Sequence, residues 1–181
     1  MEKIANNNLY INIKKGKEVK VSEVIYLFAL TIYLIYSILR TTMFNVYMGK
    51  EIDLLIRVTT ISLILIKIIY CDNYSIKQLT SIIILSIIMI GSYYKSEYGV
   101  LVDTIFLIIG AKGISFNKIV RIHLYVSVGI AILAMLGVKI GIIEHIIFYR
   151  NGNVRYAVGS IYCPDFAARI FYITTCYAYL K

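Results

Sequence analysis

Long apolar blocks rich in Ile and Leu recur along almost the whole chain, separated only by short polar stretches. A bilayer core about 30 Å thick is crossed by roughly 20 apolar residues in a helix that rises about 1.5 Å per residue. The 181 residues are 60% hydrophobic and 16% charged, and the mean hydropathy is +0.78. This composition excludes an ordinary soluble globule and indicates an integral membrane protein.

The apolar blocks predict an all-α fold, a polytopic transmembrane bundle of about six spans. The single proline and the lack of alternating polar and apolar residues favour helices over strands. The predicted spans cover residues 23–39, 53–70, 79–94, 99–109 and 119–142, and a sixth begins near 167. The fourth is short for a full crossing. The sixth runs into the last residue, so the bundle is expected to be incomplete at the C-terminus.

Lysine and arginine positions predict the orientation. Residues 1–20 are expected to be a basic cytoplasmic tail, and residues 21–142 hold five spans joined by short loops. Residues 143–166 then form an outer-face loop, and 167–181 start the sixth span. This loop is rich in arginine and so opposes the usual excess of positive charge inside. We interpret its arginines as ligands for an anion at the outer face.

A tight turn is expected at Asn151-Gly152, because both residue types tolerate a positive φ. Folding the chain back at this turn would bring Arg150 and Arg155 close together at the membrane surface. The plain alternative is an ordinary loop whose aromatic residues anchor it at the membrane interface. Those aromatic residues are Phe148, Tyr149, Tyr156 and Tyr162.

The second half of the loop predicts a helix start. Gly159 permits a close backbone approach or an unusual dihedral angle, and Pro164 followed by Asp165 is typical of a first helical turn with an acidic cap. Arg169 follows one turn into that helix. Arginine at all three loop positions suits phosphate, because a guanidinium binds phosphate oxygens with two parallel hydrogen bonds.

Two charged residues lie inside predicted spans, Arg57 and Asp103. A charge in hydrocarbon needs a partner or a hydrated cavity. In one interpretation Arg57 extends to the membrane border and Asp103 caps a short helix. In the other, both line an interior cavity that is open to the outside.

Other site chemistries find little support in the sequence. The formal charge of +9 lies at membrane borders without a recognition-helix pattern, which favours lipid head groups over nucleic acid as the partner. Cys71, Cys163 and Cys176 are scattered, and His123 and His145 are isolated. Neither a disulfide framework, nor a metal site, nor a cofactor is predicted.

The loop resembles the signature segment of Gram-positive capsular and exopolysaccharide repeat-unit polymerases, within the O-antigen polymerase and ligase superfamily. The similar residues are Gly141-Ile-Ile-Glu-His145, Tyr149-Arg150, Arg155-Tyr156, Gly159 and Asp165-Phe-Ala-Ala-Arg-Ile-Phe171. One departure is Cys163, which separates Tyr162 from Pro164 where the family has proline directly after an aromatic residue or His.

The resemblance implies a glycosyltransferase of the bacterial plasma membrane. It would move a glycan from undecaprenyl pyrophosphate to the next lipid-linked repeat unit at the outer face, without a cofactor or metal. Arg150, Arg155 and Arg169 would bind the pyrophosphate, and the catalytic base stays unassigned. Expected partners are the lipid-linked oligosaccharide, the bilayer, a flippase and a chain-length regulator. Family members are longer, so the chain is expected to be an N-terminal portion that is inactive alone.

Two alternatives come from other classes of protein. One is a small multi-span protein without chemistry, such as a bacteriocin immunity protein. The other is a transporter fragment in which Arg57 and Asp103 lie in the substrate path.

Overall fold

The computed structural model describes residues 10–13, 17–96, 100–150 and 152–181. Its helices are α1 Val21–Leu39, α2 Lys50–Tyr70, α3 Ile76–Ser96, α4 Val100–Gly110, α5 Phe116–Ile140 and α6 Cys163–Leu180, with a short 3₁₀ helix at Met43–Tyr47. Two antiparallel hairpins pair β1 Tyr10–Ile13 with β2 Lys17–Lys20, and β3 Ile147–Arg150 with β4 Asn153–Tyr156.

The mostly helical architecture confirms that the predicted fold is dominated by helices, and a helix overlaps each of the predicted spans. Apolar residues fill these helices, and the one proline lies in the first turn of α6, where a missing N–H is harmless. The two hairpins are the exception to the all-α prediction. The β1–β2 hairpin falls within the predicted basic tail, where Ile11 and Ile13 flank a polar residue before Gly16 and Val19 lies between two charged residues after it.

Among the described residues, α1 and α5 are the two helices long and apolar enough to cross a membrane. The apolar parts of α3 and α4, Ile76–Ile88 and Val100–Gly110, are shorter. α2 has 21 residues but carries charges at both ends and at Arg57.

The chain divides into two compact units. The first is drawn from Met1–Leu30 and Arg57–Ile114. Within it, a Cβ at Gly110 of α4 would lie only 2.8 Å from the side chain of Ile64 on α2. A residue without a side chain therefore lets α4 approach α2 closely. The hydroxyl of Tyr26 donates to the Leu107 carbonyl at 3.2 Å, which ties α1 to α4.

The second unit is drawn from Thr31–Ile56 and Ser115–Lys181, and its main packing is between α5 and α6. These helices are antiparallel, because the Tyr179 hydroxyl near the end of α6 donates to Asn117 near the start of α5 at 3.1 Å. α5 ends at Gly141, whose φ of 81° is left-handed and suits a glycine cap. The chain then enters the β3–β4 hairpin and returns as α6.

Candidate functional site

The predicted hairpin is present. β3 and β4 pair in a register that places Phe148 opposite Arg155 and Arg150 opposite Asn153. Gly152 has a φ of 76°, as the predicted tight turn requires. Asn151 and the side chain of Arg150 lie outside the described residues, so the placement of the Arg150 guanidinium is not described.

Gly159 occupies a position that few other residues could fill. Its φ is 74°, and a Cβ there would lie 3.0 Å from the Ala134 carbonyl oxygen on α5. Both expectations for this residue, a close backbone approach and an unusual dihedral, are therefore confirmed. The connection between hairpin and α6 rests directly against α5 as a result.

The start of α6 differs in detail from the prediction. Pro164 lies in the first turn as expected, but Tyr162 rather than Asp165 occupies the N-cap, and its side chain makes no capping hydrogen bond. The helix begins earlier because the φ of proline suits the first turn. Asp165 lies in that first turn, where its charge faces the positive end of the helix dipole.

The segment after α1 pairs with the connection that leads into α6. The Met43 amide donates to the Gly159 carbonyl at 2.9 Å, and the Ile161 amide donates to the Thr41 carbonyl at 3.1 Å. Thr42 and Ser160 form the bridge between these bonds, and both are fully buried. This pairing places the Thr41 side chain beside α6.

Arg169 lines a cavity of about 310 Å³ formed by the second half of α1, α5 and α6. The polar side chains in its wall come from α1 and the residues just after it, from α5 and from α6. The lining residues are Leu34, Ser37, Ile38, Thr41, His123, Ser127, Asp165, Ala168, Arg169 and Tyr172. Polar groups gathered around a cavity between apolar helices are typical of a binding site.

The charge of Arg169 has no ion-pair partner in this cavity, although the Asp165 carboxylate, four residues earlier on α6, lines the same cavity and acts on it electrostatically. The residue is 6% exposed, and its guanidinium donates to the neutral Thr41 hydroxyl at 2.7 Å. Among the residues that the structure describes, no carboxylate comes within ion-pairing distance of it. Two other inward-facing cations are paired: Arg57 with Asp103 at 3.4 Å, and Lys67 with Asp72 at 2.6 Å. Arg169 is the exception to this pattern.

Arg155 is exposed and borders a different cavity, of about 240 Å³. Its lining consists of Phe148, Tyr149, Arg155, Tyr162, Cys163 and Pro164. The structure therefore does not bring Arg155 and Arg169 into one cavity. The two cavities are nevertheless neighbours along α6. The lining of the Arg155 cavity includes Pro164, and the lining of the Arg169 cavity includes the next residue, Asp165.

Arg57 and Asp103 form an ion pair in the first unit. Asp103 is 5% exposed and lies in the first turn of α4, while Arg57 is on α2. Each residue thus supplies the partner that a charge inside an apolar bundle needs. The cavities described above are lined by other residues.

Sequence reasoning did not find the residues that surround Arg169. His123 and Cys176 were predicted to be isolated, yet the Cys176 sulfur lies 3.5 Å from His123 Nδ1 across the α5–α6 interface. The one available signal was the helical spacing of His123 and Ser127, which places both on the same face of α5. Within the described part of the chain, no group of three potential metal ligands comes together.

Comparison of the chain with protein-family models, with curated proteins and with solved structures finds no match.

Proposed function

We propose that this chain is part of a membrane glycosyltransferase of the polysaccharide-polymerase type. In this proposal the Arg169 cavity binds the pyrophosphate of a polyprenyl-linked glycan. The transfer is to the next lipid-linked repeat unit at the outer face of a bacterial plasma membrane.

The observation that carries the proposal is the buried charge of Arg169, which faces a cavity and has no carboxylate within ion-pairing distance among the described residues. Moving a cation out of water costs several kcal/mol unless an anion compensates it. Arg57 and Lys67 have that compensation from carboxylates of the chain itself. Arg169 instead faces a cavity in which Asp165 acts on it without forming an ion pair, so an anion bound in the cavity would compensate its charge more directly.

The chemistry of the reaction suits this arrangement. The acceptor hydroxyl attacks the anomeric carbon, and the bond from that carbon to the pyrophosphate oxygen breaks. The pyrophosphate leaves with the electron pair, while the hydroxyl proton passes to a base that stays unassigned. Negative charge therefore accumulates on the leaving group in the transition state. A fixed guanidinium stabilises this charge most where water is excluded.

The membrane location is supported by the surface of the helices. α5 directs large apolar side chains outward, including Ile132, Leu136 and Ile140. Exposed apolar surface on a long helix is expected where lipid is the solvent. We propose that the six helices lie in the membrane with the N-terminus inside, which places the β3–β4 hairpin and the start of α6 outside.

A binding experiment tests the proposal. The protein is reconstituted in lipid nanodiscs, and its affinity is measured for undecaprenyl pyrophosphate, for undecaprenol and for inorganic pyrophosphate. We expect undecaprenyl pyrophosphate to bind at least ten-fold more tightly than undecaprenol. Arg169→Gln should abolish this preference, because the loss of a buried charge contact costs about 2 kcal/mol or more.

Arg121→Gln is the matched control, because Arg121 is exposed on α5. Arg169→Lys should fall between wild type and Arg169→Gln, since lysine keeps the charge but loses the planar fork. Equal affinity for undecaprenyl pyrophosphate and undecaprenol would refute the proposal. Tighter binding of inorganic pyrophosphate than of the lipid would also refute it, and would indicate a soluble anion instead.

A further inference from the structure

A second cavity lies between the β3–β4 hairpin and the start of α6, and its walls combine aromatic rings with a guanidinium. The rings of Phe148 and Tyr162 have centroids 6.3 Å apart and are inclined by 33°. Arg155 is directly opposite Phe148 in the hairpin register and borders the same cavity. Pro164 adds a further apolar surface.

We propose that this cavity binds the sugar ring that is joined directly to the pyrophosphate. A pyranose has apolar C–H faces, which pack against aromatic rings, and a rim of hydroxyl groups, which accept hydrogen bonds from a guanidinium. One sugar can therefore pack against the Phe148 and Tyr162 rings and accept hydrogen bonds from the Arg155 guanidinium at the same time. This inference rests on the proposed function, because it assumes that the adjacent Arg169 cavity holds the pyrophosphate.

The size of the cavity agrees with a small ligand. Its volume of about 240 Å³ is below the range of about 300–1,000 Å³ that holds drug-sized molecules. A single sugar ring fits a cavity of this volume better than a lipid chain or a long glycan does.

The position of the cavity agrees with the covalent structure of the substrate. Tyr162, Cys163 and Pro164 line it, and Asp165, Ala168 and Arg169 line the cavity proposed for pyrophosphate. Tyr162 and Arg169 are seven residues apart, about 10 Å along a helix. In a lipid-linked glycan one oxygen joins the anomeric carbon to phosphorus, so sugar and pyrophosphate subsites must be neighbours.

Arg155 acquires a role different from that of Arg169. It is exposed, and among the described residues no carboxylate is within ion-pairing distance of it. Its donors are therefore available to ligand hydroxyls at the rim of the cavity. Tyr162 is the N-cap residue of α6, but its side chain makes no capping hydrogen bond. Its ring is therefore available to a ligand.

The test compares bare and glycosylated carriers in nanodiscs. The probes are undecaprenyl pyrophosphate and four derivatives that carry one glucose, galactose, N-acetylglucosamine or N-acetylgalactosamine. We expect at least one derivative to bind wild type five-fold or more tightly than the bare carrier. Tyr162→Leu and Arg155→Gln should each reduce this sugar-dependent gain by at least three-fold, and the uncharged substitution Tyr162→Leu should leave affinity for the bare carrier unchanged.

The control for the ring is Tyr156→Leu. Tyr156 is 57% exposed, close to the 59% of Tyr162, and it lies at the end of β4, outside the cavity lining. It should retain the full gain. Absence of any sugar-dependent gain in wild type overturns the inference, as does a gain that survives in Tyr162→Leu.

Failure of the proposed function gives a different result. If Arg169→Gln leaves binding of every carrier unchanged while the sugar-dependent gain still depends on Tyr162, the pyrophosphate assignment is wrong and the sugar site stands. If Arg169→Gln abolishes binding of the bare carrier but sugars add nothing, the pyrophosphate assignment stands and the sugar site is wrong. No binding of any carrier by wild type overturns both.

Discussion

Arg169 donates a hydrogen bond of 2.7 Å to the hydroxyl of Thr41, a residue 128 positions earlier in the chain. Thr41 follows α1 and itself donates to the Ile38 carbonyl at 2.8 Å. The guanidinium of Arg169 is therefore held by a side chain that is fixed to the end of another helix. In the proposed function this bond orients the arginine toward the cavity before the ligand arrives.

Removal of the Thr41 hydroxyl should weaken the site. Thr41→Val keeps the shape of the side chain but deletes a hydrogen bond to a charged group, which contributes about 1.5–3 kcal/mol. We expect undecaprenyl pyrophosphate to bind at least ten-fold more weakly in nanodiscs. Thr41→Ser retains the hydroxyl and should bind within two-fold of wild type. Wild-type affinity in Thr41→Val would show that the bond does not position Arg169.

The two most buried basic side chains should respond in opposite ways to the same substitution. Arg169→Met removes a buried charge that has no carboxylate within ion-pairing distance and only a longer-range interaction with Asp165, so the ligand-free protein should unfold at a temperature a few degrees higher. Lys67→Met removes the partner of Asp72 and should cost about 3 kcal/mol. Thermal unfolding in detergent measures both. A lower unfolding temperature for Arg169→Met would show that Asp165 and Thr41 compensate its charge fully.

Alanine substitutions at two glycines distinguish the cost of backbone strain from the cost of a steric clash. Gly141 and Gly159 both have left-handed φ values, 81° and 74°. A Cβ at Gly141 meets no atom within 4 Å, whereas one at Gly159 meets the Ala134 carbonyl at 3.0 Å. Gly141→Ala should therefore cost about 1 kcal/mol from strain alone, and Gly159→Ala about 2–3 kcal/mol. Equal losses of unfolding free energy would show that the close approach to α5 is unimportant.

The Arg57–Asp103 pair should behave as a coupled unit. Arg57→Met removes the ion-pair partner of a buried carboxylate and should lower the unfolding free energy by about 3 kcal/mol. The double variant Arg57→Met/Asp103→Leu removes both charges and should recover most of that loss. A double-mutant cycle measures the coupling. Additive losses would contradict a direct interaction.

Tyr74, in the loop between α2 and α3, provides a pH-dependent test. Burial, followed by the nearby Asp72 carboxylate, raises the pKa of Tyr74 to about 12. Its hydroxyl donates to the Ile109 carbonyl at 3.1 Å. In the unfolded chain the phenol ionises near its ordinary pKa of about 10, so unfolding becomes easier as the pH rises from about 10 to about 12. Tyr74→Phe should flatten this part of the pH profile of thermal unfolding.

Local chemistry made much of the fold predictable. Apolar runs of helical length mark the helices, because a helix needs nothing beyond its own segment to satisfy its backbone hydrogen bonds. Gly152 and Pro164 marked a turn and a helix start for equally local reasons. The N-cap of α6 was harder to predict, because the three-residue offset between Asp165 and Tyr162 depends on the flanking backbone. The β1–β2 hairpin has only a short alternation on each side of Gly16, which is too brief to stand out within a polar tail.

The environment of Arg169 was decided by tertiary structure alone. Sequence determined that an arginine lies near the start of a helix after a tight hairpin. It did not determine that Thr41 and His123, from two other helical segments, share its cavity, or that the guanidinium donates to Thr41 instead of forming an ion pair. Whether a charge is compensated depends on which helices pack together. An apolar helix surface leaves that choice open until the whole bundle forms.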